Sequence, residues 1–442
     1  MTVTDRRPAA VPDEDLAEVR PSRRMILLLA LTCGVAVGNI YFPQAISPSV
    51  AAGLHIGAGS AALVVTATQF GYAAGIFLLV PLGDRLPHRG LVVALLGLTG
   101  TGLLGASAAP ALPPLAGASA LIGLATVVAP IIGPMAAGLV PEDRRGVVSG
   151  TLLSGSIGGM LLSRTMGGAL GEWLGWRAPY LLAAALSLTL AAVLARTLPR
   201  TSPPSGQRYP ALLSASLRLL RDEPELRRSC FYQATIFAGF SAVWTGVALL
   251  LTGPAYGLSI RAVGALALVN AGTMVCTPIA GRLADRHGPD AVNLVCMVGV
   301  IVSALVLAGG ARGGTAGLTA LVLGSLLLDV AMQSGMVANQ VRNYALRPEA
   351  RSRVNTAYMT CAYLGGSVGS WLGARAYGRF GWWGVCGLAA LLAVLALVRH
   401  VAAPRTRGSG RGDGVEGSKR PTMSTAGHPA EVRFDVPEDR DR

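Results

Sequence analysis

Apolar runs long enough to cross a bilayer set the pattern of this chain. Twelve lie near 25–46, 60–82, 91–109, 115–140, 146–169, 178–195, 230–253, 262–283, 290–310, 316–340, 354–376 and 382–399. A hydrocarbon core ~30 Å thick takes ~20 apolar residues to cross as helix. Stretches such as 91–109 and 178–195 meet that length without one charged side chain. The pattern predicts an all-α membrane protein with twelve transmembrane helices.

The polar connections carry a second signal. Arg20, Arg23 and Arg24 precede the first run, and Arg85 and Arg89 follow the second. Arg144 and Arg145 follow the fourth, Arg282 and Arg286 the eighth, and Arg342, Arg347, Arg351 and Arg353 the tenth. The alternate connections hold only Arg177, Arg261, Arg312, Arg375 and Arg379. Positively charged loops stay in the cytoplasm, so both termini are expected there, in a multi-pass protein of the cell (inner) membrane. Residues 1–24 have no apolar core or small-residue cleavage site and read as a cytoplasmic tail rather than a secretory signal.

The runs fall into two sets, a six-helix bundle over 25–195 and another over 229–400. Between them, 196–228 is a cytoplasmic loop with seven arginines against three acids, and its middle, Tyr209 to Leu220, suits an amphipathic surface helix. The tail 401–442 is rich in Gly, Ser, Pro and mixed charge and is expected to be disordered. The sets echo each other. Leu82-Gly83-Asp84-Arg85 is answered by Leu283-Ala284-Asp285-Arg286, Pro141-Glu142-Asp143-Arg144 by Pro348-Glu349-Ala350-Arg351, and Gly175-Trp176 by Gly381-Trp382. Such a duplication implies two pseudo-symmetric bundles, the plan of many secondary transporters.

Composition narrows the function. With 52% hydrophobic and 14% charged residues, the +14 net charge belongs to membrane topology. No basic run interleaved with aromatics marks a nucleic-acid partner. The six cysteines show no paired spacing, so neither a metal site nor a disulfide framework is expected. Lys419 is the only lysine, which removes any phosphate-cradling Gly-Lys-Ser/Thr loop and with it ATP-driven transport by this chain. The five histidines sit at span ends, in loops or in the tail, without an enzyme motif. No cofactor is expected.

Gly281-Arg282-Leu283-Ala284-Asp285-Arg286-His287-Gly288 resembles the cytoplasmic loop motif of the major facilitator superfamily, and Leu82, Asp84 and Arg85 keep part of it in the first half. Asn39 to Gln44, and Asn339-Gln340 through Arg351 to Thr356, resemble the bacterial drug, nucleoside and sugar exporter branch. The resemblance covers 25–400. It implies alternating access by rocking of two bundles, and transport of a small-molecule substrate, drug-like, nucleoside or sugar, by a monomer. It also implies that Asp84 and Asp285 cap helices of the opposite half while Arg85 and Arg286 pair with Glu142, Asp143 or Glu349, closing the cytoplasmic side. Gly150, Gly159, Gly167 and Gly168 follow the glycine pattern that antiporters of the superfamily carry in span five, but Ser163 and Arg164 replace its Gly-Pro.

Two charges lie inside spans. Arg164 either snorkels or pairs structurally, or it contacts an anion or substrate or acts as an external gate. Asp329, mid-span ten, costs ~2.5–3.5 kcal/mol to insert and normally faces a cavity or a partner. Such an acid can take up and release protons as water access alternates; the bland reading is a neutral Asp bonded inside the bundle. Gln333 and Gln340 share its helical face. Gln233, Phe237, Phe240 and Trp244 share a face of span seven, where a substrate wall and plain helix packing are both open. Tyr41 and Gln44 beside Pro43, and Thr66, Gln69 and Tyr72, are further cavity candidates, and Pro43 permits local unwinding. Pro130 and Pro134 should kink span four. Proton-coupled efflux is the expected function; an uptake symporter and a permease subunit of another transport system are the alternatives.

Overall fold

The computed structural model describes residues 22–199, 208–347 and 350–402, and every regular element in them is a helix. The N-terminal segment to residue 21 and the C-terminal tail from 403, with the disorder expected of it, lie outside the described residues. Helix α1 (Arg23–Gly53) opens at Ser22, whose hydroxyl accepts the Met25 N–H at 3.2 Å, satisfying one of the donors a helix start leaves free. It runs unbroken through Pro43, where unwinding was allowed for. Helix α2 (Ala58–Leu79) tightens into a 3₁₀ turn at Val80–Asp84 and leads to α3 (His88–Ser107).

The fourth run is two helices, α4 (Leu112–Ala125) and α5 (Val128–Gly138). Their junction lies at Thr126 and Val127 rather than at the prolines. Pro130 has no N–H for the carbonyl four residues back and its ring crowds it; that carbonyl belongs to Thr126. Next come α6 (Glu142–Trp173), α7 (Ala178–Thr197) and the amphipathic α8 (Tyr209–Asp222). Helix α8 buries Leu212 and Ser216, and its Tyr209 hydroxyl donates to the Leu78 carbonyl at 2.6 Å.

The second half begins with α9 (Pro224–Thr252). The eighth run is interrupted as the fourth is, with α10 (Ile260–Val269), a 3₁₀ stretch Asn270–Val275 and α11 (Cys276–His287). Pro278 leaves the carbonyl of residue 274 without its helical donor, which places the interruption there. The remaining helices are α12 (Pro289–Ala308), α13 (Gly314–Leu346) and α14 (Arg351–Val401). Among the described residues, ten helical segments are long and apolar enough to cross a membrane. With α10–α11 as one more traverse and α14 divided at Gly381, this is compatible with twelve.

Gly381 has φ of 60° with ψ of −151°, and Gly175 has φ of 84°; positive φ is open to glycine without a Cβ penalty. The Gly-Trp echo in the sequence thus marks a positive-φ glycine in each half. After it, Trp382 donates its indole N–H to the Leu307 carbonyl at 2.6 Å, while Trp176 packs edge-on to Tyr180. Nothing stands where a Cβ on Gly381 would go, so Gly381→Ala should lose only the backbone penalty of ~1–3 kcal/mol for a region that is essentially glycine's alone. A lowered midpoint of thermal unfolding in detergent, with unchanged assembly, is the expected result.

The same helix pairs recur in both halves: α1 lies along α6 as α9 lies along α14, and α3 packs on α7 as α12 packs on α14. Contact along the first kind of pair is backbone to backbone. A Cβ on Gly159 would fall on the Gly34 carbonyl, and one on Gly369 on the Ala238 carbonyl, the close approach that small residues permit between lipid-embedded helices. The halves meet where α2 crosses α14 and α6 crosses α10. There Ser367 donates to the Thr66 carbonyl and Thr165 to the Gly264 carbonyl, both at 3.0 Å.

Candidate functional site

At the centre of the fold, where α1 and α6 face α9 and α13, the intramembrane charges come together. Arg164 is 1% exposed and does not snorkel. Its Nε and Nη2 donate to Gln44 Oε1 at 3.2 and 2.9 Å. Its guanidinium lies over the Trp244 ring, 4.3 Å from the centroid, with the Tyr41 ring at 4.8 Å and the Phe240 ring at 5.7 Å. Stacking on ring faces stabilises a desolvated guanidinium by ~2 kcal/mol, and three aromatic faces together explain how α6 carries this charge so deep.

Asp329 is also 1% exposed and accepts the Trp244 indole N–H at 3.3 Å. Asn270, at the interruption of the eighth run, also reaches its carboxylate. Trp244 therefore joins the two charges, taking Arg164 on its ring face and Asp329 at its ring nitrogen. The two charges interact electrostatically without reaching ion-pair contact, and Arg164 Nη1 has no hydrogen-bond partner. One charge comes from each half.

The other candidates separate into layers. Tyr41 shares a hydroxyl hydrogen bond of 3.1 Å with Tyr363 of α14, and Tyr72 stands edge-on to Tyr363 with ring centroids 4.5 Å apart. Gln69 and Ser241 bond each other in both directions across the halves, at 3.1 and 3.2 Å. Gln333 donates to Thr273 at 3.2 Å, beside Asn270 in the chain's fold. Gln233 is tied inside the second half, accepting from Tyr358 at 2.9 Å. Gln340 is half-buried near the end of α13, away from the central charges, and its neighbour Asn339 makes the buried bond, accepting from Asn293 at 3.0 Å.

Below the tyrosines a cavity of about 550 Å³ opens toward the face that carries Arg23 and Ala402. Tyr72 and Tyr363 form its deep end, and Tyr344, Arg351, Ser352 and Asn355 lie nearer its mouth. Asp84 stands at this face, within electrostatic reach of Arg353 in the first turn of α14. Arg85, Asp285 and Arg286 are exposed. The side chains of Glu142, Asp143 and Glu349, the acids expected to pair with Arg85 and Arg286, lie outside the described residues.

The opposite face is latched. Arg261 of α10 bridges Glu172 of α6 at 3.0 Å and lies over the Trp173 ring at 5.1 Å. A recess of about 700 Å³ beside the bridge is lined by Ser49, Glu172, Ser259 and Tyr377 among others. The bridge is an exposed pair, open to screening by salt. Glu172→Gln should release it and speed labelling of a single cysteine placed at Ser49. Unchanged labelling would mean that the bridge does not hold this face.

Tyr363, Asn270, Ser241 and the Glu172–Arg261 bridge lie outside the residues expected from sequence. A tyrosine just before the small-residue stretch Gly365 to Ser370 of α14 is the signal for Tyr363, and an amide inside the eighth run that for Asn270. Nothing local marks Glu172 and Arg261, whose partnership is purely tertiary.

This is a helical, multi-pass membrane protein with its charges gathered between two halves. Residues 27–272 and 230–430 match the family model described as Major Facilitator Superfamily. The uncharacterized transporter YgaY of Escherichia coli (strain K12) is 34% identical over 377 residues, 85% of this chain and 95% of that protein. A chloramphenicol resistance protein of Streptomyces lividans is 27% identical over 268 residues, 60% of this chain and 67% of that one. In fold the chain is similar to a mutant of the nucleoside transporter NupG, with a TM-score of 0.67 at 14% identity over 86% of this chain and 98% of that one. The chain belongs to the major facilitator superfamily of transporters, a class that moves small molecules rather than transforming them.

Proposed function

We propose that this protein is a proton-coupled secondary transporter that exports small organic molecules by alternating access, with Asp329 as the group that takes up and releases the coupling proton. The observation that carries the proposal is the pairing across the halves, Asp329 of α13 and Arg164 of α6 on one indole. Two unit charges attract by no more than ~4 kcal/mol at 4 Å and an effective dielectric of ~20. Protonating Asp329 removes that attraction between halves. A loss of that size shifts the balance between two arrangements by up to about a thousandfold. Proton uptake thus becomes a change in which face is open.

In this reading the bundles are 25–195 and 229–400, joined through 196–228, both termini are cytoplasmic, and a monomer in the cell membrane suffices. The 550 Å³ cavity is then the cytoplasmic approach, the Tyr41–Tyr363 pair closes it beneath the charges, and Glu172–Arg261 shuts the outside. Asp84 beside Arg353 and the exposed Asp285–Arg286 pair are the gating groups of the inner face. One proton moving down ~100 mV releases ~2.3 kcal/mol, enough for a ~50-fold gradient. The outward direction draws on the similarity to the chloramphenicol resistance protein.

The second reading is a proton-coupled uptake symporter. It is favoured by one observation, the unpartnered nitrogen of Arg164, because a proton on Asp329 leaves that guanidinium to a substrate anion, so proton and substrate bind together. Transport of the same compound into inverted and right-side-out vesicles, with the pH gradient imposed in each sense, separates the readings. Accumulation in inverted vesicles with an acidic lumen supports export. Accumulation only in right-side-out vesicles with an acidic exterior supports uptake.

A further inference from the structure

Arg164 is a fully buried cation whose hydrogen bonding is incomplete. Two of its three nitrogens share one acceptor, Gln44 Oε1, and the third, Nη1, has none. The Gln44 Nε2 donor is likewise buried without a partner. Both side chains are 1% exposed. Leaving a buried donor unmade costs ~1–3 kcal/mol, more for a charged group. The fold leaves two such donors side by side while aromatic rings occupy the space around them.

Donors without acceptors define what is missing: a group made of acceptors. Around them stand the faces of Tyr41, Phe240 and Trp244, surfaces suited to a flat apolar body. The planar fork of a guanidinium matches a carboxylate in two parallel bonds. We propose that Arg164 and Gln44 form the recognition site for a carboxylate on the transported molecule, and that the substrate class is an aromatic or otherwise flat organic acid. The acid would approach from the 550 Å³ cavity once the Tyr41–Tyr363 bond opens, since that pair lies between the cavity's deep end and the guanidinium.

Asp329 is the other negative group that this guanidinium feels; the remaining ionisable neighbours are Tyr41 and Tyr363. A substrate carboxylate and an ionised Asp329 draw on the same cation, so neutralising Asp329 should strengthen acid binding. This last step is the linkage of the uptake reading, in which proton and substrate bind together, whereas recognition at Arg164 does not rest on it.

The test is equilibrium binding to purified protein in detergent, without any gradient. Benzoate, phenylacetate and indole-3-acetate would be compared with their uncharged amides, benzamide, phenylacetamide and indole-3-acetamide. In wild type at least one acid should bind tenfold or more tightly than its amide. That preference should fall at least tenfold in Arg164→Gln and be partly restored in Arg164→Lys, which keeps the charge without the fork. The wild-type comparison needs no variant, so it decides the matter even if Arg164→Gln fails to fold. Equal binding of acids and amides, or no binding by any acid, would overturn the proposal. Acid binding that is selective but no tighter in Asp329→Asn would keep the site at Arg164 and count against the uptake reading.

Discussion

Asp329→Asn should leave the protein assembled in the membrane and abolish the dependence of transport on a pH gradient. Asparagine keeps an oxygen where Asp329 accepts the Trp244 indole N–H, and it keeps the volume. It cannot ionise. Breaking a buried ion pair in contact costs ~3–5 kcal/mol, but Arg164 and Asp329 are held apart on either side of an indole, so the loss should be smaller. Arg164 also keeps its Gln44 bonds and its aromatic stack. A single symmetric peak in detergent gel filtration is expected alongside transport that runs downhill only. Gradient-driven accumulation should fall to the level of empty liposomes. If accumulation survived at more than a tenth of wild type, another group would have to carry the proton.

Gly159→Val should have the largest effect on folding. A Cβ at residue 159 meets the backbone of Gly34 on α1, which has no flexible side chain to swing aside. The helices would have to part along their length. Forcing extra methyl groups into a packed interior costs ~1–3 kcal/mol where neighbours can adjust, and here the neighbour is main chain, so the upper end or beyond is expected. Parting α1 from α6 would also pull Gln44 from Arg164. Protein recovered from membranes should drop severalfold. Gly150→Val, where nothing stands within reach of a Cβ, should be recovered at the wild-type level and serves as the control. Equal recovery of both would contradict backbone contact at this crossing.

The long apolar runs and the Gly-Trp echo were legible from sequence because each is a local property: run length sets a membrane span, and Gly175 and Gly381 both take a positive φ. Asp329 and Arg164 were legible as lone charges at depth. Their relation to one another was not. Arg164 near the outer third of its span has snorkelling open to it, and only the arrival of Trp244 and Phe240 from the other half makes an inward path favourable. The interruption before Pro130 is a matter of which carbonyl loses its donor, legible to within a turn. Helical face alone grouped Gln333 and Gln340 with Asp329, yet α13 is long enough that Gln340 ends beyond the central layer. The bond from Tyr358 to Gln233 is likewise tertiary and has no local mark in span seven. The role of Tyr363 has no local mark because it comes from meeting Tyr41 across the halves.

The proton role of Asp329 is most directly tested by substrate-evoked proton movement in liposomes that hold the purified protein and a trapped pH-sensitive dye. Chloramphenicol, uridine, lactose, ethidium and indole-3-acetate would be presented in turn to wild type and to Asp329→Asn. The expected result is a pH change in wild type with at least one compound, and none with that compound in the variant although the variant still equilibrates it. A pH change of equal size in Asp329→Asn would contradict the assignment and return Asp329 to a structural part.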